Sequence, residues 1–145
     1  KEVYETLLYK AEEKQIRCMI KKGCELPITV FADKEKIRQV LLNLVDNAIK
    51  YGKQNGTIEA SFYKVDEASV LIEISDDGFG IPEDHLLRIF ERFYRTDLAR
   101  SRKVGGSGLG LAICKHIVEA HGQSIHARSK IDVGSTFGFT LESKK

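Results

Sequence analysis

The sequence predicts an α+β fold, a two-layer sandwich in which one sheet is covered on a single face by helices. Three observations predict it. Apolar residues recur at helical spacing in three long segments. Short β-branched or alternating runs lie between those segments in pairs. The chain of 145 residues has the length of one domain, 1–145, and is long enough to bury a core.

The elements follow in order. Val3 to Lys14 reads as a helix with apolar residues at Val3, Leu7, Leu8 and Ala11. Ile16 to Ile20 is strand-like, a turn follows at Lys22-Gly23-Cys24, and Pro27 to Ala32 is a second short strand. Asp33 fits the N-cap of a long helix, with Glu35 favourably placed in its first turn. Ile37, Val40, Leu41, Leu44, Val45 and Ala48 give that helix one apolar stripe, ending near Gly52. Thr57 to Val65 alternates and Val70 to Ser75 follows, which predicts an antiparallel hairpin. Glu83 to Glu91 reads as short helical turns, and Tyr94 to Gly106 as a mobile loop. Leu109 to Ala120 predicts a helix with core residues Ala112, Ile113, Ile117 and Ala120, closed by Gly122. Ser124 to Arg128 and Ser135 to Leu141 are the last strands.

Composition narrows the function classes. Hydrophobic residues make up 42% and charged residues 30%, as in ordinary soluble domains. A formal net charge of +2 provides no strong field for nucleic acid or an anionic membrane. No signal peptide stands out, nor any apolar run near the roughly 18 residues that a membrane span needs. Cys18, Cys24 and Cys114 lack pairing or metal spacing, and read as reduced thiols of a cytosolic domain.

Chemistry concentrates in three segments. Asn43, Asn47 and Lys50 share one stripe of the long helix, apart from the apolar stripe. Amide oxygens suit Mg²⁺, a hard cation that keeps several waters, and an ammonium offsets phosphate charge. A solvated helix face with incidental asparagines is the plainer reading, although asparagine is a poor choice in a helix interior. In Asp77-Gly78-Phe79-Gly80, glycines let a planar ligand approach the backbone, and a carboxylate at the turn can accept the exocyclic amine of adenine. An ordinary strand-to-helix turn accounts for the same letters. Gly106-Ser107-Gly108-Leu109-Gly110 opens a helix whose N–H groups suit an anion. It is neither a P-loop, since Leu111 follows Gly110 where Lys-Ser/Thr is needed, nor a dinucleotide fingerprint, since its spacing and context differ. Arg92, Arg95, Arg100, Arg102 and Lys103 border the predicted loop. They read as a solvated face, or as donors to a terminal phosphate when the loop closes. Phe90 and Phe93 are expected to anchor its base by packing. In this order and spacing, the three segments make an ATP site.

These residues resemble the catalytic ATP-binding domain of sensor histidine kinases in two-component signalling. Asn43 to Tyr51 is similar to the family's asparagine box, Asp77 to Gly80 to its first glycine box, and Ile89 to Tyr94 to its phenylalanine box. Gly106 to Leu111 is similar to its second glycine box, and Gly134-Ser135-Thr136-Phe137 to the motif that ends the site. The resemblance implies a Bergerat fold: a mixed, mainly antiparallel sheet of about five strands, three helices on one face and a flexible ATP lid. It implies ATP and Mg²⁺ as cofactors. Asn47 would ligate the metal with help from Asn43, and Lys50, Tyr51 and Arg92 would meet phosphates. Asp77 would bind the adenine amine with support from Ser135 or Thr136. Gly78, Gly80 and Ile81, then Gly106, Gly108, Leu109 and Gly110, would line the nucleotide.

The ATP-hydrolysing relatives, gyrase, MutL-type repair proteins and the 90-kDa chaperones, carry a glutamate where this chain has Asn43. An amide cannot act as their general base, so the resemblance implies phosphotransfer with poor hydrolysis. The implied acceptor is a histidine on the kinase's own dimerisation domain, and the onward partner a response regulator. No acceptor-like string surrounds His85, His116, His121 or His126, so the chain is expected to be a domain cut from a longer kinase. A nucleotide-binding switch without phosphotransfer is the alternative.

Overall fold

The structure, a computed structural model, describes residues 2–21, 23, 30–92 and 110–143. The start of the strand expected from Pro27, the predicted lid at 94–106, and Phe93, Arg95, Arg100, Arg102, Lys103, Gly106, Gly108 and Leu109 lie outside them. Helix α1 (Glu2–Glu13) leads into β1 (Arg17–Ile20) and β2 (Val30–Phe31), then α2 (Lys34–Lys50). Strands β3 (Thr57–Lys64) and β4 (Ser69–Asp76) precede the short α3 (Glu83–Leu86). Helix α4 (Gly110–Ala120) and the hairpin β5 (Ile125–Lys130) and β6 (Gly134–Ser143) complete the described elements.

The sheet is mixed. β1 pairs parallel with β3, and every other pairing is antiparallel. Six strands form it in the order β1-β3-β4-β6-β2, with β5 also on β6. It is nevertheless five strands wide, because β5 pairs with the first half of β6 and β2 with its last two residues, both on the edge opposite β4. Register places Ile58, Ala60, Val70, Ile72, Ile74, Phe137, Phe139 and Leu141 on one face, where they form the core with residues of α1, α2 and α4. The opposite face is polar, and its buried Glu73 pairs with Arg128 at 2.9 Å.

Helix α2 begins where its cap chemistry dictates. Asp33 has extended backbone and its Oδ1 accepts from the N–H of Lys36, worth about 1 kcal/mol. Its far end is closed by a neighbour: Lys14 Nζ, just past α1, donates to the carbonyls of Ile49 at 3.0 Å and Lys50 at 2.7 Å. His121 bridges the other end, accepting from Asp33 N–H and bonding the Ile117 carbonyl.

Two helices bury a different stripe from the one their apolar letters suggest. Leu8 is 53% exposed, so α1 meets the sheet through the narrower pair Leu7 and Ala11. In α4 the buried residues are Cys114, Ile117 and Val118, whereas Ile113 is 41% exposed and Ala120 lies at the surface. The i, i+3, i+4 set that faces α2 includes a cysteine, which packs as a small apolar side chain.

The β5–β6 turn fixes the edge of the site. Gly134 has φ +141°, and a Cβ there would overlap the carbonyl oxygen of Asp76. Only glycine lets these two backbones approach so closely. Gly134→Ala is therefore expected to lower unfolding stability by about 2 kcal/mol or more. Chemical denaturation would show it, and an unchanged midpoint would mean that the turn relaxes freely.

Candidate nucleotide-binding site

The site assembles where the end of α2 meets the loop after β4. A Cβ on Gly78 would lie 2.6 Å from the Tyr51 carbonyl oxygen and 3.2 Å from Gly52 Cα, so the first glycine segment seats directly on the α2 terminus. Gly80 (φ +79°) lies against the Lys130 carbonyl, again without room for a side chain. Ile81 N–H donates to Ser129 Oγ at 2.7 Å, and Phe79 accepts from Asp132 N–H at 2.8 Å. The segment is thus held between α2 and the β5–β6 hairpin. Phe90 closes the side by packing its ring edge-to-face on Phe137, with centroids 6.2 Å apart.

The structure corrects the choice of carboxylate. Asp77 is exposed and turns away, its Oδ1 accepting from Thr57 N–H at 2.8 Å beside Gly56. Asp76 is the carboxylate on the helix-covered face, in line with Ile72 and Ile74 and paired in register with Ser135. It accepts from Gly78 N–H at 2.9 Å and from the backbone of Ser135. Burial pushes its pKa up to about 6 against the lowering effect of those bonds, and the neighbouring Asp77 charge adds to the rise. The signal was present in the sequence. The alternation Val70, Ile72, Ile74 continues to Asp76, so counting by twos selects it.

The same parity separates Ser135 from Thr136. Ser135 is buried, shares the Asp76 face and lies 2.8 Å from Ser129 Oγ. Thr136 points to the opposite face, where its hydroxyl lies 2.9 Å from that of Ser75. Thr136 therefore faces away from Asp76, and of the two hydroxyl residues expected to support Asp77 only Ser135 stands on the Asp76 face. Ser129 was missed by the sequence reading, yet it joins Ser135, Gly134 O and Ile81 N–H in one network.

Along α2 the predicted polar row is present. Asn47 is half-buried, and its side chain makes no hydrogen bond to another described residue. Asn43 is differently employed. Its Nδ2 donates to the Gly110 carbonyl at 3.3 Å, and its Oδ1 accepts from Gln39 Nε2 at 2.9 Å. That side chain ties α2 to the first residue of α4. Lys50 bonds Asp46 at 3.0 Å, and Tyr51 is the C-cap residue, its N–H bonded to the Asn47 carbonyl. Arg92 is exposed at the last described residue before 93–109. A Cβ on Gly110 would meet no described atom within 4 Å, so its glycine is not required by packing there.

A family model described as "Histidine kinase-, DNA gyrase B-, and HSP90-like ATPase" matches residues 32–145. The chain belongs to this family. Its relatives place it among histidine kinase catalytic domains. It is 46% identical over 114 residues to the sensor histidine kinase WalK of Bacillus subtilis, covering 78% of this chain and 19% of WalK. It is 41% identical over 140 residues to the adaptive-response sensory kinase SasA of Synechococcus elongatus, covering 97% of this chain and 35% of SasA. The catalytic domain thus spans about a third or less of these curated relatives. Among solved structures, the catalytic domain of histidine kinase ThkA superposes with TM-score 0.80 at 32% identity, over 98% of this chain and 88% of that one. Full-length ShkA in complex with AMPPNP superposes at 0.84 with 30% identity, over 99% of this chain and 29% of ShkA. No described helix of the catalytic domain is long and apolar enough to cross a membrane.

Proposed function

We propose that this domain binds Mg·ATP and donates the γ-phosphate to a histidine on a separate dimerisation domain of its parent kinase, for onward transfer to a response regulator aspartate. One observation carries the reading: a half-buried carboxylate, Asp76, stands on the helix-covered face of the sheet beside a glycine segment packed on the end of α2. That carboxylate accepts the exocyclic amine of adenine, which guanine cannot offer at that position. Ser135, held by Ser129, supports it.

The residues fit a magnesium-bound nucleotide. Asn47 offers an amide oxygen at the polar stripe of α2, and Lys50 supplies a cation one turn away on the same helix. Among the described residues no group of three or more His, Cys, Asp or Glu side chains forms a metal cage, so the cation takes most of its ligands from phosphate and water. Bound Mg²⁺ would supply charge neutralisation for the transferring phosphoryl group. Asn43 ties α2 to α4 through its Nδ2, and its Oδ1, which accepts from Gln39, keeps a second lone pair with which it would assist the metal. An amide in that place accepts no proton, so hydrolysis by the isolated domain is slow. Arg92, Gly106, Gly108 and Leu109 remain assigned to the phosphate side by resemblance.

Support comes from the AMPPNP held by ShkA and from the structure of ThkA in complex with response regulator TrrA, whose kinase is 30% identical to this chain. The test mixes the domain with γ-labelled ATP and a separate dimerisation fragment of the parent kinase. Acid-labile label on that fragment is expected. Sustained release of inorganic phosphate by the domain alone, with no label transferred, would overturn the kinase reading.

A further inference from the structure

One carboxylate serves two lysines from different helices. Asp46 Oδ1 lies 2.9 Å from Lys10 Nζ of α1, and Asp46 Oδ2 lies 3.0 Å from Lys50 Nζ, one turn further along α2. Burial alone would raise the Asp46 pKa, but the hydrogen bonds and charges of Lys10 and Lys50 hold it below its ordinary value. All three side chains are partly exposed, at 36%, 23% and 28% for Lys10, Asp46 and Lys50, so neither pair is locked. At about 100° per residue, Lys50 falls between Asp46 on one side of α2 and the Asn43–Asn47 row on the other. Its flexible four-carbon stem reaches either side.

We propose that Asp46 is a positioning residue that governs how freely Lys50 meets a nucleotide phosphate, and that Lys10 on α1 sets the strength of its hold. With α1 docked, Lys10 takes half of the Asp46 charge and Lys50 is readily released to an anion. With Lys10 withdrawn, Asp46 keeps Lys50. The position of α1 is registered to the same turn, since Lys14 Nζ donates to the carbonyls of Ile49 and Lys50. A displacement of α1 therefore acts on Lys50 through side-chain charge and through the helix end. This inference rests on the reading above in which Lys50 contacts phosphate.

The test is a set of binding titrations with a fluorescent Mg·ATP analogue at low salt, using the whole chain. Lys10→Met is expected to weaken binding about threefold, a size typical of partly exposed ion pairs, and Lys10→Arg to restore it. Asp46→Asn is expected to tighten binding by a similar factor. A general field effect of the removed charges gives the same signs, so the deciding readout is coupling. Lys10→Met should lose its effect in an Asp46→Asn background and again in a Lys50→Met background. A Lys10→Met effect that persists undiminished in either background overturns this inference and leaves the nucleotide site standing. Lys50→Met with wild-type affinity would remove the phosphate contact itself, and the inference with it.

Discussion

Asp76→Asn is expected to weaken ATP binding about 100-fold while leaving the domain folded. A charge-assisted hydrogen bond of about 1.5–3 kcal/mol is lost, and an amide that presents its own N–H₂ to the adenine amine adds repulsion. At about 1.4 kcal/mol per tenfold, the two together reach that figure. Asp77→Asn is the matched control. Asp77 uses one oxygen to accept from Thr57 N–H, and asparagine retains such an oxygen, so nucleotide affinity should stay within about twofold of wild type. Calorimetric titration of both variants checks the pair. Normal affinity in Asp76→Asn together with lost affinity in Asp77→Asn would reverse the assignment.

The same substitution has a signature in pH. The Asp76 pKa in the fold, about 6, lies above its ordinary 3.8, so the folded state keeps the proton longer as pH rises. Its contribution to stability is fully present below about pH 3.8 and is lost as pH climbs through about 6. Asparagine carries no such proton. The nucleotide-free wild type should therefore lose stability relative to Asp76→Asn across that window, with other titrating groups cancelling in the difference. Parallel thermal melts between pH 4 and pH 7 would show it, and a constant difference would place Asp76 in water.

Asn47→Ala is expected to erase the strengthening of nucleotide binding by magnesium, leaving affinity equal with and without the ion. Alanine is the better helix former at this interior position of α2. The Asn47 side chain makes no hydrogen bond to another described residue whose loss would destabilise the fold. The metal-dependent part of affinity is therefore the part that should vanish, a change of about tenfold, together with phosphotransfer. Titrations in magnesium and in chelator separate the two contributions. If magnesium still tightens binding in the variant, the ion is held by other groups.

Much of the fold was legible because its signals are local. The stripe of α2 and its Asp33 cap, the β3–β4 alternation and the glycine after α4 each rest on contacts within a few residues, and the structure places all of them as read. The buried face of α4 was misread because Cys114 looks polar by letter and packs as an apolar group. Leu8 was misread because an apolar residue at helical spacing buries only if a partner stands opposite. At the candidate site, the first glycine segment packs on the end of α2, while two of the expected side chains face away from it. Asp77 and Thr136 each sit one position from the residue that faces the helices, and in a strand one position is the opposite face.

By itself the sequence determined the kind of protein, its layers and its family, and it singled out the three segments proposed to meet a nucleotide. Those follow from residue type and spacing, which the chain carries wherever it goes. The tertiary structure alone decided which way the described members of those segments face. It put Asp76 and Ser135 inward, tied Asn43 to Gly110, and set Lys10 and Lys50 on one carboxylate. The physical reason is that direction and pairing depend on the partner across the sheet or on the neighbouring helix, 36 residues away in the case of Lys10 and Asp46, and no local pattern records that partner.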